Sequence, residues 1–231
     1  MVSSYFSGLL QSIEALDVQV NAMIALVRTP SLDIFFLWVT QLGSTVLCVS
    51  MVCVFLLLAV AYQKYAWILP TALVVTGAPT TTYMLKLYVA RPRPEFGLIS
   101  EPLYSFPSGH ATAAMACFGF MCVLMVRCVH KSWQATALVL ATCVVVICIG
   151  FSRLYLGVHY LSDVLMGFVV GAVWIGIGVY VLRKYGALRF VDALQGVQVR
   201  HVRRITWVLI LLLGSVYVYL GVYHQPDLIV R

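Results

Sequence analysis

The sequence predicts an all-α fold: a polytopic bundle of membrane-spanning helices with one amphipathic helix at its N-terminus. Hydrophobic side chains make up 62% of the 231 residues and charged ones only 10%, whereas a soluble domain is about 45–50% apolar. The apolar residues also gather in runs of roughly 20, the length that a helix needs to cross a bilayer. Runs this long and uniformly apolar exclude the strands of a membrane barrel.

Six of these runs are predicted to span the membrane, at about residues 34–62, 66–86, 110–129, 134–150, 159–182 and 205–223. The fifth run contains a GxxxG pattern, Gly167 and Gly171, which predicts close packing against a neighbouring helix. We predict four parts of the chain: an N-terminal stretch 1–33, a core 34–182, a basic connection 183–204, and a C-terminal helix with its tail, 205–231.

Residues 5–27 have a different pattern. Apolar side chains recur there with the period of a helix, and Gln11, Glu14, Asp17 and Asn21 are interleaved with them. This pattern favours an amphipathic helix that lies in the membrane interface, with a seventh span as the alternative. A cleaved signal peptide is not expected, because the stretch lacks a basic start and a short apolar block before a cleavage site.

The distribution of Lys and Arg predicts the orientation of the bundle. Of the 15 such residues, nine fall on the side opposite the loops 87–109 and 151–158: Lys64, Arg127, Lys131, Arg183, Lys184, Arg189, Arg200, Arg203 and Arg204. Cytoplasmic loops carry the excess of Lys and Arg, so the two loops are expected to face outward, toward the periplasm or exterior of a bacterial inner membrane. The basic side is expected to contact anionic lipid, not nucleic acid. No oligomeric state follows from the pattern.

Three polar clusters fall at helix ends on the outward side. They are residues 86–94 (KLYVARPRP), 107–110 (PSGH) and 152–163 (SRLYLGVHYLSD). With alternating crossings, all three lie at the same membrane depth, although they are far apart along the chain. Ionisable residues are rare in such a chain, so their concentration at this depth predicts a functional site.

The third cluster holds a histidine and a carboxylate one helical turn apart. His159 and Asp163 are four residues apart at a predicted helix start, which places both side chains on one face within hydrogen-bonding reach. A carboxylate on one imidazole nitrogen fixes the tautomer and raises the basicity of the other nitrogen. His159 is therefore a candidate nucleophile or base. Taken alone, the pair fits a cap at the helix end equally well.

The other two clusters offer an anion site and positive charge. Ser108 can cap the helix that follows PSGH, where free backbone N–H groups attract anions, and His110 stands in its first turn. Lys86, Arg93 and Arg153 can together bind a phosphoryl group. Taken alone, Ser108 is an ordinary N-cap and Lys86 an interfacial residue whose ammonium reaches water.

Together the three clusters resemble the three-part signature of the type 2 phosphatidic acid phosphatase superfamily, which includes membrane lipid phosphatases and is related to vanadium-dependent haloperoxidases and glucose-6-phosphatase. The matching residues are Lys86-x6-Arg93-Pro94, Pro107-Ser108-Gly109-His110 and Ser152-Arg153-x5-His159-x3-Asp163. The likeness covers about residues 17–182. Arg91 is interpreted as a headgroup contact outside the core site.

The resemblance implies a role for each matching residue. His159 would attack phosphorus and form a phosphohistidine, Asp163 would orient it, and His110 would protonate the leaving oxygen. The phosphoryl oxygens would be held by Lys86, Arg93, Ser108, Gly109 and Arg153. Water would then release phosphate. The implied mechanism needs no cofactor and no metal, and no carboxylate cluster in the sequence has the spacing of a metal site.

The chain departs from the family pattern at both ends. Members usually begin with a full spanning helix, where this chain has the amphipathic stretch 5–27, and an additional apolar run, 205–223, follows the core. The additional helix can pack where the missing one would sit; alternatively, the natural chain is longer or 5–27 spans the membrane.

A site at membrane depth between helices suits a lipid phosphate that enters from the bilayer. The resemblance allows undecaprenyl diphosphate, phosphatidylglycerol phosphate, phosphatidic acid or lipid A, and the outward site favours undecaprenyl diphosphate. The loop 95–106 is expected to touch the headgroup, with Glu95, Glu101 and Tyr104 as the residues to vary. Two alternatives remain: a lipid phosphotransferase with the same intermediate, and a non-catalytic lipid-binding or transport protein.

Overall fold

The computed structural model describes residues 2–186, 214–215 and 217–218, and every regular element in them is helical. This confirms the predicted all-α fold. In chain order the helices are α1 (Val2–Leu26), α2 (Pro30–Gln41), α3 (Thr45–Ala61), α4 (Ile68–Val89), α5 (Gly109–Ala114), α6 (Phe120–Met125), α7 (Ser132–Tyr155) and α8 (Leu161–Gly186). A π-helical segment, Met115–Gly119, joins α5 to α6, and a 3₁₀ turn, Val126–Cys128, ends this continuous run.

Three of the described helical stretches are long and apolar enough to cross a membrane: Gly109–Cys128, Ser132–Tyr155 and Leu161–Tyr185. The bent pair α2 and α3 makes a fourth if it is counted as one span. Helix α4, predicted as a span at 66–86, has 22 residues. Its threonines and prolines lower its hydropathy, so it is not among these stretches. The predicted sixth span, 205–223, lies outside the described residues except for four positions, where the Tyr217 hydroxyl donates to the Trp38 carbonyl at 3.1 Å.

The stretch predicted as one continuous span at 34–62 is broken. Helix α2 begins earlier, at Pro30, and the chain bends by 42° between α2 and α3. Ser44 caps α3, accepting a hydrogen bond from the Leu47 N–H at 3.3 Å. Gly43 packs so closely on Ile149 and His110 that a Cβ would lie 2.6 Å from the Ile149 side chain. The bend therefore brings the chain against a residue of the predicted site.

Helix α8 packs closely on α4 and on the α5–α6 run, as its GxxxG pattern predicted. A Cβ on Gly167 would lie 2.8 Å from the Ser108 carbonyl oxygen, and one on Gly171 would lie 2.6 Å from the Cβ of Met115. On the other side, the Trp174 indole donates to the Thr81 hydroxyl of α4 at 3.0 Å. Missing side chains at the two glycines thus let the start of α5 approach the start of α8.

The N-terminal amphipathic stretch is helical, as predicted, and packs on α7 and α8. It contributes Ile24 and, in part, Val20 to a core with Leu154 and Val164. It is not among the stretches apolar enough to span a membrane. Its placement in the membrane interface and the division into four parts stay predictions.

Candidate active site

The three polar clusters meet at one end of the bundle, where α4 ends, α5 begins, α7 ends and α8 begins. The following predicted site residues line one cavity of about 520 Å³: Lys86, Arg93, Gly109, His110 and His159. Asp163, Ser108 and Arg153 are fully buried beside them. The structure therefore brings together all eight residues that the sequence singled out.

His159 and Asp163 form the pair that their spacing predicted. His159 Nδ1 lies 3.4 Å from Asp163 Oδ2, and both side chains are buried. The same oxygen accepts the Tyr160 backbone N–H at 2.8 Å and the Ser105 hydroxyl. These two hydrogen bonds fix the position of the Asp163 carboxylate on the Nδ1 side of the His159 ring. With Nδ1–H directed at Asp163, the lone pair of His159 lies on Nε2, on the cavity side.

The surroundings keep His159 neutral. Burial, together with the nearby Arg153 and Arg93, lowers the pKa of the His159 imidazole from 6.5 to about 4, against the opposing hydrogen bond to Asp163. The ring is therefore unprotonated at neutral pH in the empty site. A neutral imidazole with an oriented lone pair is the form that can attack an electrophile.

Arg93 is fixed beside the free nitrogen of His159. Its Nη1 lies 3.3 Å from His159 Nε2 and donates to the Val158 carbonyl at 2.8 Å. Its other nitrogens donate to carbonyls of the loop 95–106, at Pro102, Leu103 and Tyr104. A guanidinium held on three sides next to the lone pair is well placed to receive a phosphoryl oxygen.

The loop 95–106 also binds Lys86. The Lys86 ammonium donates to the Tyr104 carbonyl at 2.5 Å and to the Ser105 carbonyl at 3.2 Å. Leu103 has a φ of 66°, a left-handed conformation that is strained for a bulky side chain. The loop is therefore shaped around Lys86 and Arg93.

Arg153 is buried completely and is held from two sides. Its Nη1 donates to the Thr40 hydroxyl at 2.6 Å, and its Nη2 pairs with the Glu101 carboxylate, while its Nε has no partner in the described part of the chain. Burial favours neutral Glu101, but Arg153 and Arg93 hold the pKa of that carboxyl below its ordinary value. An anionic carboxylate thus lies among the predicted phosphate-binding cations.

The PSGH residues lie at the start of α5 as predicted, with one difference. The hydroxyl of Ser108 does not cap the helix: it is buried and has no hydrogen-bond partner among the described residues. The backbone N–H of Ser108 donates to the Asp163 carbonyl at 3.0 Å, so the hydroxyl, not the backbone, is left for a ligand. Gly109 faces open space, which leaves its backbone accessible, and His110 lines the cavity.

Several site residues were missed from the sequence or given a different role. Arg91 was interpreted as a headgroup contact, yet it pairs with Asp163 Oδ1 at 2.8 Å. Its second partner is Asp17 of α1, also at 2.8 Å. Ser105 and Thr40 were missed because isolated hydroxyls give no pattern. Asp17 was noted as one of the polar residues interleaved in the amphipathic stretch 5–27, but nothing in that pattern distinguished it as a site residue.

The cavity has a polar end and an apolar end. Beyond the cations and the two histidines it continues along α3 and α4, where Val49, Val52, Val75 and Pro79 line it. Apolar walls next to an anion site match the two parts of a lipid phosphate, an acyl or prenyl chain and a charged headgroup.

Comparison with known proteins identifies the family of the chain. The model of the PAP2 superfamily matches residues 65–187, more than half of the chain. Phosphatidylglycerophosphatase B of Bacillus subtilis (strain 168) is 28% identical over 163 residues, which are 69% of this chain and 80% of that protein.

Two solved structures share the fold. The transmembrane PAP2 type phosphatidylglycerolphosphate phosphatase from Bacillus subtilis gives a TM-score of 0.68 at 24% identity, covering 82% of this chain and 98% of the other. LpxE of Aquifex aeolicus gives 0.55 at 25% identity, covering 71% and 95%.

The chain therefore belongs to the PAP2 superfamily. Within that class it is an integral membrane lipid phosphatase, a hydrolase.

Proposed function

We propose that the protein removes the terminal phosphate of a membrane lipid through a phosphohistidine on His159. The observation that carries the proposal is the buried His159–Asp163 pair. Its Nε2, turned away from Asp163, lies beside Arg93 at a cavity with cations at one end and apolar walls at the other. This arrangement supplies a nucleophile, an anion clamp and a binding site for a lipid chain in one place.

The proposed reaction has two steps. In the first, His159 Nε2 forms a bond to phosphorus as the bond from phosphorus to the leaving oxygen breaks, and His110 gives that oxygen a proton. In the second, a water attacks phosphorus as the bond from phosphorus to Nε2 breaks, and His110 takes the proton of that water; inorganic phosphate leaves and both histidines are restored. Asp163 stabilises the positive charge that the ring carries between the steps.

The proposed phosphate clamp stabilises charge on the three phosphoryl oxygens. Arg93 already contacts His159 Nε2, Gly109 lines the cavity, and the buried hydroxyl of the adjacent Ser108 has no partner among the described residues. Lys86 and Arg153 add positive charge from either side. Hydrogen bonds to loop carbonyls, Thr40 and Glu101 already hold these side chains in place, so a phosphate would exchange with some of these partners and would not have to order flexible cations.

For the substrate, we propose phosphatidylglycerol phosphate as the first candidate. The relative named for that activity is 28% identical and is matched over most of its length. Undecaprenyl diphosphate, which the sequence favoured on the outward site alone, is the second lipid to test. Both have an apolar chain for the walls along α3 and α4 and a terminal phosphate for the clamp.

We propose that the site faces away from the cytoplasm of a bacterial plasma membrane. In the described residues, the end of the bundle opposite the site holds Lys64, Arg127, Lys131, Arg183 and Lys184. The site end holds five as well, but Arg28, Lys86, Arg91, Arg93 and Arg153 all bond to the site residues or to the backbone around them. The cations at the opposite end lie away from the site, and Lys and Arg that collect in this way are typical of the cytoplasmic side.

The test is phosphate release by the purified protein from a panel of phosphatidylglycerol phosphate, phosphatidic acid, undecaprenyl diphosphate and lipid A, with and without EDTA. We expect release from at least one lipid to survive EDTA, because no group of three metal-ligating side chains occurs among the described residues. Vanadate should inhibit, since it mimics phosphorus during attack by His159. Loss of activity in EDTA that a divalent ion restores would refute the metal-free mechanism. Lipid binding without phosphate release would refute the proposed enzymatic activity.

A further inference from the structure

The N-terminal helix reaches the proposed catalytic pair through one buried carboxylate. Asp17 is only 1% exposed, although the rest of the polar face of α1 is largely exposed. Its Oδ1 accepts the backbone N–H of Ser162 at 2.9 Å, and its Oδ2 accepts the Ser162 hydroxyl at 2.5 Å. Since Ser162 lies in the first turn of α8, Asp17 satisfies a free N–H at the start of the helix that carries Asp163.

Arg91 joins Asp17 to Asp163. Its Nη2 donates to Asp17 Oδ2 and its Nη1 to Asp163 Oδ1, both at 2.8 Å. Nη1 also donates to the Ser162 hydroxyl at 2.7 Å, and the guanidinium lies over the Tyr160 ring, 4.1 Å from its centre. Both oxygens of Asp163 are thereby engaged: Oδ2 faces His159, and Oδ1 is held by Arg91.

The charges of Asp17, Arg91 and Asp163 give Asp17 an electrostatic role in addition to its contact with the start of α8. Arg91 alone would neutralise Asp163 and weaken it as the partner of a cationic ring. With Asp17 present, the two carboxylates and one guanidinium carry one net negative charge behind His159. That charge favours the positively charged ring that attack on phosphorus creates. Near-complete burial of both carboxylates protects the interaction from solvent screening.

We propose that Asp17 is a positioning residue of the phosphatase reaction, acting through Arg91 to orient Asp163 and to keep the charge behind His159 net negative. The N-terminal helix is then part of the catalytic apparatus, although it lies outside residues 65–187 that define the family. This inference rests on the proposed role of the His159–Asp163 pair.

A double-mutant cycle tests the inference in the full-length protein, with phosphatidylglycerol phosphate in detergent micelles and phosphate release as the readout. We expect Asp17→Asn to lower kcat about ten-fold, the loss of roughly one charge-assisted hydrogen bond, and to leave KM within about two-fold. In an Arg91→Gln background the same change should cost less than about two-fold more. Asp17→Glu, which keeps the charge, should retain more kcat than Asp17→Asn.

Asp33→Asn is the matched control. The Asp33 carboxylate of α2 also ties two helices together, accepting the Tyr155 hydroxyl of α7 at 2.8 Å, but among the described residues it makes no hydrogen bond to Arg91 or Asp163. It should leave kcat within about two-fold. If Asp17→Asn does not fold, Arg91→Lys tests the same link, because a lysine cannot bridge both carboxylates with a planar fork, and it should lower kcat in the same way.

Three outcomes would overturn the inference: losses from Asp17→Asn and Arg91→Gln that multiply fully, a normal kcat with only a lower melting temperature, or equal kcat losses in Asp17→Asn and Asp33→Asn. The proposed function fails separately. If His159→Ala keeps activity, the proposed mechanism is wrong whatever Asp17 does, and if His159→Ala is inactive while Asp17→Asn is normal, only this inference is wrong.

Discussion

At the scale of single residues, the anions of the site hold its cations in place. Glu101 pairs with the buried Arg153, and Asp163 with Arg91 and His159. Buried cations without partners would be costly, so these carboxylates stabilise the cations until a phosphate binds. Glu101 and a substrate phosphate would then compete for Arg153, whereas Asp163 has no such competitor because it lies behind the nucleophile.

The effect of His110→Ala should depend on the leaving group. General acid catalysis is typically worth about 10²–10⁴-fold, and it matters most when a basic alkoxide departs. Phosphatidic acid expels such an alkoxide, but undecaprenyl diphosphate expels a much less basic phosphate monoester. Single-turnover phosphate release should therefore fall much further for the monophosphate lipid than for the diphosphate. Equal losses on both lipids would instead make His110 a phosphate-binding residue.

Removing the charge of Glu101 should have opposite effects on stability and on anion binding. Glu101→Gln leaves Arg153 without its carboxylate, so the phosphate-free protein should melt at a lower temperature. Vanadate should bind about ten-fold more tightly, because a competing negative charge has gone. Glu95→Gln, on an exposed residue of the same loop, is the control and should change neither value. Weaker vanadate inhibition in Glu101→Gln would contradict competition at Arg153.

At the scale of helices, the site depends on how closely α8 approaches the start of α5. Gly171 and Gly167 face Met115 and the Ser108 carbonyl, and the backbone N–H of Ser108 bonds to the Asp163 carbonyl. The contact between the two helix starts thus also sets the distance between the PSGH residues and the nucleophile. The 42° bend before α3 brings Gly43 against His110, so this bend forms a further wall of the site.

Gly171→Ala should destabilise the protein, because the added Cβ would lie 2.6 Å from the Cβ of Met115 and 3.1 Å from the Ala116 nitrogen. Overpacking of this kind costs typically about 1–3 kcal/mol. Gly176→Ala on the same helix is the control, since nothing lies within 4 Å of the position that its added methyl group would take. Thermal unfolding in detergent should separate the two variants. Equal melting temperatures would show that the helices can move apart without cost.

Sequence patterns predicted the long apolar helices and the site residues of the three motifs, because hydropathy and short spacings are local properties. The bend at Gly43 was missed, although Gly43 and Ser44 are a local helix stop and cap, because the apolar residues before and after them were interpreted as one run. The links from Asp17 and Thr40 were missed for another reason. They join residues more than 70 positions apart, and a single polar side chain gives no periodic signal.

At the scale of the whole molecule, the site and the basic side lie at opposite ends of the bundle. In the described residues the basic side holds Lys64, Arg127, Lys131, Arg183 and Lys184. The described helices alternate in direction, so the ends near Lys64, Arg127 and Lys131 lie opposite the site.

Cysteine labelling in intact cells should reveal the orientation of the site. In a version without the seven natural cysteines, Ser100→Cys in the loop 95–106 should react with an impermeant thiol reagent added outside. Lys131→Cys, exposed at the opposite end, should react only after the cells are opened. The reverse pattern would place the site on the cytoplasmic leaflet and show that the excess of Lys and Arg had been misinterpreted.

A covalent bond between phosphorus and His159 is the centre of the proposed mechanism, and rapid-quench trapping tests it most directly. The protein is mixed with ³²P-labelled phosphatidylglycerol phosphate, or with whichever lipid of the panel it hydrolyses, and quenched in alkali within one turnover. We predict protein-bound label that is stable in alkali, lost in acid, located by mass spectrometry on His159, and absent from His159→Ala. Full single-turnover phosphate release with no labelled protein, or activity in His159→Ala, would contradict the covalent mechanism.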